Sequence, residues 1–342
     1  MKIGDFDTNE KVFVIAELSA NHSGSLQTAL DTIKAAKRAG ADAIKIQTYT
    51  PDSLTLNSTQ SDFMIKGGLW DGRNLYDLYA EALTPREWHA EIFKVAKEQG
   101  LMCFSSPFCK DDVDFLEQFN PPAYKIASFE ITDYEFVRYV AALKKPIIIS
   151  TGIATEQEIS DVVAICKATR NDQIALLKCT SSYPAEFSQM NLATIADMEA
   201  KFGTQVGFSD HTLGIVAPVV AVSLGARIVE KHFILDKSVR SVDEAFSLDE
   251  REFGDMVRAV RDTEALLGKV SYELDEKSFA NRRFSRSLYA SCDIKMGEIF
   301  SEKNVKSVRP GYGLHPKSLP NLLGKVAKRE IKFGEKITKN DL

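Results

Sequence analysis

LQTALDTIKAAKRAGADAIKIQ, residues 26–47, spaces its apolar side chains three and four apart up to residue 39, stops at Gly40, and resumes as a β run at 43–47. The first half is the pattern of an amphipathic helix closed by glycine, and the second that of a short strand. Residues 87–99 (EWHAEIFKVAKEQ) repeat the arrangement, closed by Gly100 ahead of a β run at 102–106. Further β runs fall at 12–16, 123–127, 146–151, 174–179, 205–208 and 227–231, with helical stretches between them. Eight β runs alternating with helices over about 270 residues predict an α/β protein of the (β/α)8 TIM-barrel class. An open doubly wound sheet shares the alternation but wants a glycine-rich phosphate turn after an early strand, and the chain has none.

Two features interrupt the rhythm. The connection 51–84 is far longer than an ordinary βα loop and carries Lys66-Gly67-Gly68-Leu69-Trp70-Asp71-Gly72-Arg73. Emerging at the catalytic face of a barrel, it is expected to cover substrate. The barrel is expected over 1–270, with its last helix at 250–267, and a polar linker over 271–285 follows. Residues 286–342 have short β-like runs, many turns and little helix, which predicts a separate β-rich domain small enough to need packing support.

Composition excludes several classes. Of 342 residues, 44% are hydrophobic and 27% charged, so a collagen-like or wholly disordered chain is ruled out. No apolar run approaches the ~18 residues of a membrane span. The opening MKIGDFDTNEKVFVIAE has acidic residues where a signal peptide needs an apolar stretch. Cys103, Cys109, Cys166, Cys179 and Cys292 are scattered and never form C-x-x-C, which points to a reduced, cytoplasmic protein. From position 281 onward the chain holds 14 basic and 6 acidic residues (+8), leaving 29 and 42 (−13) for residues 1–280. The basic residues are interleaved with apolar ones, unlike a nucleic-acid arm, so docking of a basic module on an acidic body is the favoured reading.

In a barrel the reactive groups sit at the carboxyl ends of strands. Lys45 and Lys125 lie inside separate β runs, flanked by apolar residues, and hydroxyls stand at neighbouring strand ends: Ser106, Ser128, Ser150 and Ser209. A lone lysine is ordinarily solvated or ion-paired. Two converging on one mouth, with hydroxyls to fill remaining acceptors, suit a phosphorylated or carboxylated small molecule. Alternation points Lys45 and Gln47 to one face. His211 and His232 end adjacent β runs, with Glu17, Asp210 and Asp243 as nearby carboxylates, which makes a candidate site for a divalent ion: manganese, iron, zinc or cobalt. His89, within a helix, reads as structural. The residues alone therefore describe a barrel enzyme acting on an anionic small molecule, with a candidate metal site.

The same segments resemble the sialic acid synthase family. They are 16–24 (AELSANHSG), 40–49 (GADAIKIQTY), 104–108 (FSSPF), 124–128 (YKIAS), 150–152 (STG), 207–212 (GFSDHT), 230–233 (EKHF) and, near the end, 286–288 (RSL) and 308–311 (VRPG), which are similar to the family's antifreeze-like (SAF) domain. Residues 65–79 (IKGGLWDGRNLYDLY) resemble the branch taking a trideoxy diacetamido sugar. The resemblance implies condensation of phosphoenolpyruvate with the open-chain aldehyde of an N-acetylated amino sugar. Lys45, Ser106, Lys125, Ser128, Ser150 and Ser209 would hold phosphoenolpyruvate. Glu17 would orient or deprotonate a reactant, and His211 and His232 would ligate a divalent cation, Mn2+ first and Mg2+ or Co2+ as alternatives. Gln47, Tyr183 and Asp243 would bind the sugar, joined by Arg309 from the neighbouring subunit of a domain-swapped homodimer. Trp70 or Leu69 would cover a sugar methyl. No nucleic-acid or membrane partner is implied. Ser181 and the stretch 241–244 depart from neuraminate-type members, which disfavours N-acetylmannosamine as substrate. Neuraminate or legionaminate synthesis, another phosphoenolpyruvate aldolase, and a non-catalytic glycan- or ice-binding protein stay open as alternatives.

Overall fold

In the computed structural model, which describes residues 1–238 and 240–342, eight parallel strands close into a barrel: β1 (Phe13–Glu17), β2 (Ala43–Thr48), β3 (Met102–Pro107), β4 (Tyr124–Ile126), β5 (Ile147–Ser150), β6 (Ile174–Cys179), β7 (Gln205–Asp210) and β8 (Ile228–His232), the last pairing with the first. Each expected β run is present. The ladder extends further toward the carboxyl end than expected in β1, β7 and β8, so Glu17, Asp210 and His232 belong to the strands themselves. Pro146 stays outside β5 because it has no N–H to donate, although its carbonyl accepts from Tyr124 N at 2.9 Å.

The period of two sorts each strand. Phe13, Ile15, Ala43, Phe104, Ala123, Ile148, Ala175, Leu177 and Ile228 form one cluster in the barrel lumen. Their neighbours in sequence, such as Val14, Ala16, Ile44, Ile46, Ile147, Ile149 and Leu176, face outward into two clusters shared with the surrounding helices. A short hairpin that the sequence did not suggest, Lys2–Ile3 with Phe6–Asp7, adds fully buried Ile3 to the lumen cluster. Helix Leu26–Arg38 begins where Ser25 Oγ accepts from Thr28 N at 3.2 Å and ends before Gly40, whose φ of +89° strongly favours glycine. Helix Glu250–Leu267 completes the ring, started by a reciprocal Asp249/Glu252 capping box.

The long connection carries a helical turn Pro51–Leu54, a hairpin closed by Ile65 N to Arg73 O at 2.9 Å, and helix Leu75–Ala82 capped by Asn74. The chain divides into Met1–Gly268 and Lys269–Leu342. Inside the stretch expected as linker lies a short helix, Glu276–Asn281. The second unit pairs Ser287–Ala290 with Val305–Val308 antiparallel and packs Leu288, Ile294, Phe300, Leu322, Ile331 and Ile337 in its own core. Among the described residues no helix is long and apolar enough to cross a membrane.

Gly207 faces the lumen, where an added Cβ would stand 2.6 Å from the Ile228 carbonyl oxygen and 2.5 Å from Leu177 Cδ2. Gly207→Ala is therefore expected to cost about 1–3 kcal/mol by overpacking, read as a lower urea midpoint for barrel unfolding.

Candidate active site

The inward register that carries the apolar lumen continues upward into polar residues. Two positions beyond Ile15, Ala43, Phe104, Ala123, Ile148, Leu177, Gly207 and Ile228 stand Glu17, Lys45, Ser106, Lys125, Ser150, Cys179, Ser209 and Glu230. Parallel pairing places Glu17 beside Lys45, Gln47 beside Ser106, Ser209 beside Glu230 and His232 beside Glu17. Lys45 Nζ lies 2.7 Å from Glu17 Oε2 and 3.6 Å from Glu230 Oε1, and donates to Ser106 Oγ at 3.1 Å. Lys125 Nζ donates to Ser150 Oγ at 2.6 Å and lies 3.8 Å from Glu230 Oε1. Ser209 Oγ donates to the same carboxylate at 3.3 Å. All of these side chains are buried.

Burial opposes every one of these charges, and pairing decides which survive. Burial disfavours the Lys45 ammonium, but Glu17 and Glu230 outweigh it and raise its pKa. Lys125, with Glu230 alone as a close partner, is lowered by burial. Glu230 is pulled down against burial by Lys125 and Lys45. Glu17 is pushed up to about 7 by burial, with Glu230 adding to the effect and Lys45 opposing it. The mouth thus holds one lysine whose charge its carboxylate neighbours favour, a second whose charge burial opposes, one carboxylate held ionised by both and one carboxyl that titrates near neutrality. Glu230 Oε2 has no hydrogen-bond partner, although it is buried.

His211 and His232 meet with ring centroids 5.5 Å apart. His211 Nδ1 donates to the Thr180 carbonyl at 3.1 Å, a tautomer that leaves Nε2 as a free lone pair. His232 Nδ1 is buried without a hydrogen-bond partner, 3.6 Å from Asp243 Oδ2. Burial lowers both imidazoles, and the positive groups around His232 lower it further, so both rings are neutral. Two neutral imidazoles with available lone pairs beside a carboxylate fit a divalent cation. Among the described residues no group of three His, Cys, Asp or Glu side chains could hold one alone. Tyr183 packs on His211 at 4.4 Å and on Phe246 at 5.2 Å. Gln47 Nε2 donates to Glu17 Oε1 at 3.2 Å and Ser19 Oγ at 3.0 Å.

Ser128 follows β4; its Oγ accepts from Ile153 N at 3.1 Å and from Ser181 Oγ at 2.9 Å. Gly152 makes room for this cluster, since a Cβ there would stand 2.6 Å from Cys179 Sγ and 2.8 Å from Ser128 Oγ. Glu17, Gln47, Lys45, Ser106, Lys125, Ser128, Ser150, Tyr183, Ser209, His211, His232 and Asp243 all belong to the barrel unit, at or just beyond the carboxyl ends of its strands. Arg309 belongs to the second unit, directly after its strand Val305–Val308. Asp210, expected near the metal, is not there. It occupies the outward register between Ser209 and His211, where its carboxylate pairs with buried Lys231 Nζ at 2.6 Å and accepts from Thr212 N at 2.8 Å. His89 bridges Thr48 Oγ1 at 2.8 Å and the Pro85 carbonyl at 3.1 Å, a structural role.

Glu230 and Glu130, each with a buried carboxyl oxygen, carry no role in the sequence reading. Glu230 was legible from alternation, two positions before His232. Glu130 sits on a 3-10 turn, Ser128–Glu130, with no periodic signal. Its Oε2 is buried without a partner, and burial pushes the group up to about 7 against the pull of Lys125.

The curated and structural comparisons place these features in a known context. The NeuB family matches residues 32–272 and the SAF domain residues 285–342. The chain is similar to pseudaminic acid synthase of Campylobacter jejuni strain 81-176, 60% identical over 341 residues, spanning 100% of this chain and 99% of that protein. It is 44% identical over 330 residues to pseudaminic acid synthase of Helicobacter pylori, spanning 96% and 97%. The crystal structure of an N-acetylneuraminic acid synthetase from Leptospira borgpetersenii superposes with a TM-score of 0.74 at 27% identity, covering 82% of this chain and 94% of that one.

Glu130 allows a test of the electrostatics. Its folded pKa lies above its ordinary 4.5, so the stability it contributes is fully present below that value and lost as pH rises through about 7. Glu130→Gln should therefore gain on the parent between pH 5 and pH 8, by on the order of 2 kcal/mol at the upper end, in urea titrations across pH.

Proposed function

The chain belongs to the NeuB family, and we propose that it condenses phosphoenolpyruvate with the open-chain aldehyde of 2,4-diacetamido-2,4,6-trideoxy-β-L-altropyranose and water, giving pseudaminic acid and phosphate. The observation that carries the chemistry is the juxtaposition of a lysine pair with a neutral imidazole pair on one inward register. The 60% identity over the whole chain supports the choice of sugar. Such a reaction makes the enzyme a C–C bond-forming transferase.

Lys45 and Lys125 neutralise the anionic groups of phosphoenolpyruvate, and the hydroxyls of Ser106, Ser128, Ser150 and Ser209 donate to its remaining oxygens. Glu230, within 4 Å of both amino groups, favours their charged forms and holds them in place before the anion arrives. Gln47, Tyr183 and Asp243 orient the aldehyde so that its carbonyl carbon faces C3 of the enol. His211 and His232 would hold a divalent cation, Mn2+ in this reading with Mg2+ or Co2+ as alternatives, completed by water and substrate oxygens. Such an ion would polarise the aldehyde as a Lewis acid. As C3 of phosphoenolpyruvate bonds to the aldehyde carbon, C2 becomes electron-poor and is captured by water. Glu17, which titrates near neutrality, takes the proton from that water and passes it to the alkoxide formed from the aldehyde oxygen. The tetrahedral adduct closes to the C2 ketone as it expels phosphate, which carries off the remaining hydroxyl proton.

The assembly we favour is a domain-swapped homodimer in which Arg309 of a second copy binds an acetamido group. Two features support it. The second unit is basic and the barrel acidic, and the loops after β4, β5, β6 and β7 expose Phe129, Ile153, Phe187 and Leu213 around the catalytic face. The five cysteines are free, in keeping with a reducing cytoplasm.

Phosphate release from phosphoenolpyruvate with Mn2+ is expected with the trideoxy diacetamido altrose and not with N-acetylmannosamine. Release with N-acetylmannosamine alone would overturn the substrate assignment. His211→Ala and His232→Ala should each lower kcat about 100-fold or more, with the circular dichroism spectrum unchanged; full activity in either variant removes the proposed metal ligands.

A further inference from the structure

Trp70 is held by a tightly closed device. Its hairpin is shut by Ile65 N to Arg73 O and Gly72 N to Ile65 O, both at 2.9 Å, and by Gly67 N donating to the Asp71 carboxylate. Gly67 and Gly72 both sit at φ +78°, in the left-handed region. Asn74 ties the hairpin down twice: it caps the following helix, accepting from Tyr76 N at 2.9 Å, and donates to the Ser58 carbonyl at 2.8 Å. The hairpin therefore presents one side chain in a fixed place. That side chain is half-buried Trp70, while its neighbour Leu69 remains 48% exposed.

The indole lies 5.7 Å from the Tyr183 ring, which lies 4.4 Å from His211. The ring contacts thus link Trp70 through Tyr183 to His211 of the imidazole pair. With its aldehyde carbon at the imidazoles, as the proposed reaction requires, an extended open-chain hexose would pass along these ring contacts. Its carbons bearing acetamido groups would come first, and C6, the carbon farthest from the aldehyde, would lie toward Trp70.

We infer that Trp70 is the residue that selects a sugar with a methyl, rather than a hydroxymethyl, at C6. This rests on the reading of the chain as an enzyme for a trideoxy diacetamido sugar and assigns the position that reads the missing hydroxyl. An indole face gains by covering a methyl and gives nothing to a hydroxyl, which would lose its water without finding an acceptor. A contact of this kind discriminates by about 10–200-fold.

The test compares kcat/KM for the 6-deoxy diacetamido altrose and its 6-hydroxy counterpart in the parent, Trp70→Phe and Trp70→Ala proteins. The parent should prefer the 6-deoxy sugar by about 100-fold, Trp70→Phe by less, and Trp70→Ala by about threefold or less. KM for phosphoenolpyruvate should stay within about twofold throughout, since the indole lies off the lysine pair. Trp70 and Trp88 are the only tryptophans, so Trp88→Phe leaves Trp70 as sole emitter. Its fluorescence should shift to the blue when the 6-deoxy sugar saturates the phosphoenolpyruvate-loaded protein. Equal losses on both sugars in Trp70→Ala, an unchanged preference, or an unmoved emission spectrum would overturn the inference while leaving the activity assignment intact. A parent that accepts only N-acetylmannosamine would overturn both.

Discussion

Four charged side chains, Glu17, Lys45, Lys125 and Glu230, are buried together in the lumen of a barrel whose next layer down is wholly apolar. Burial at this level is tolerable only because each charge lies within 4 Å of an opposite one. The arrangement is uneven. Glu230 serves both lysines, Lys125 has no second close carboxylate, and Glu17 titrates near neutrality. An anionic substrate would complete what the chain leaves partly balanced. The hydroxyls of Ser106, Ser150 and Ser209 are hydrogen-bonded to Lys45, Lys125 and Glu230 respectively, at the same level of the barrel.

The same inward register that sets these charges sets the imidazoles. His232 is the last residue of β8, beside Glu17 of β1, and His211 follows β7. A residue one step off this register has a different fate. Asp210 and Lys231 neutralise one another on the outside of the barrel, where they join the packing between strands and helices. Chemical type alone would put Asp210 in the site. The pleat takes it out.

The loops then add what the strands cannot. Gly152 keeps the space that Ser128, Cys179 and Ser181 fill, Phe246 backs the imidazoles, and the hairpin around Trp70 extends the aromatic wall. In the proposed reaction the strand residues would handle phosphoenolpyruvate, whereas the loop residues would face the sugar. Reactive groups held on rigid strands, with loops shaping what reaches them, are a natural division of labour on a barrel.

Much of this was legible in the amino-acid order because it follows from short-range periodicity. The helix–glycine–strand unit at 26–47 repeats along the chain, and the alternation Ala43-Ile44-Lys45-Ile46-Gln47 already separates an outward face from an inward one. The strand-end residues with reactive side chains could be read off in the same way, as could the change of texture after the last barrel helix. The orientation of the His211 ring by the Thr180 carbonyl, the buried open oxygens of Glu130 and Glu230, and the seating of Trp70 on Tyr183 could not. Each depends on contacts between positions far apart in the chain. The fields and distances there are set by packing in three dimensions, and local pattern carries no information about them.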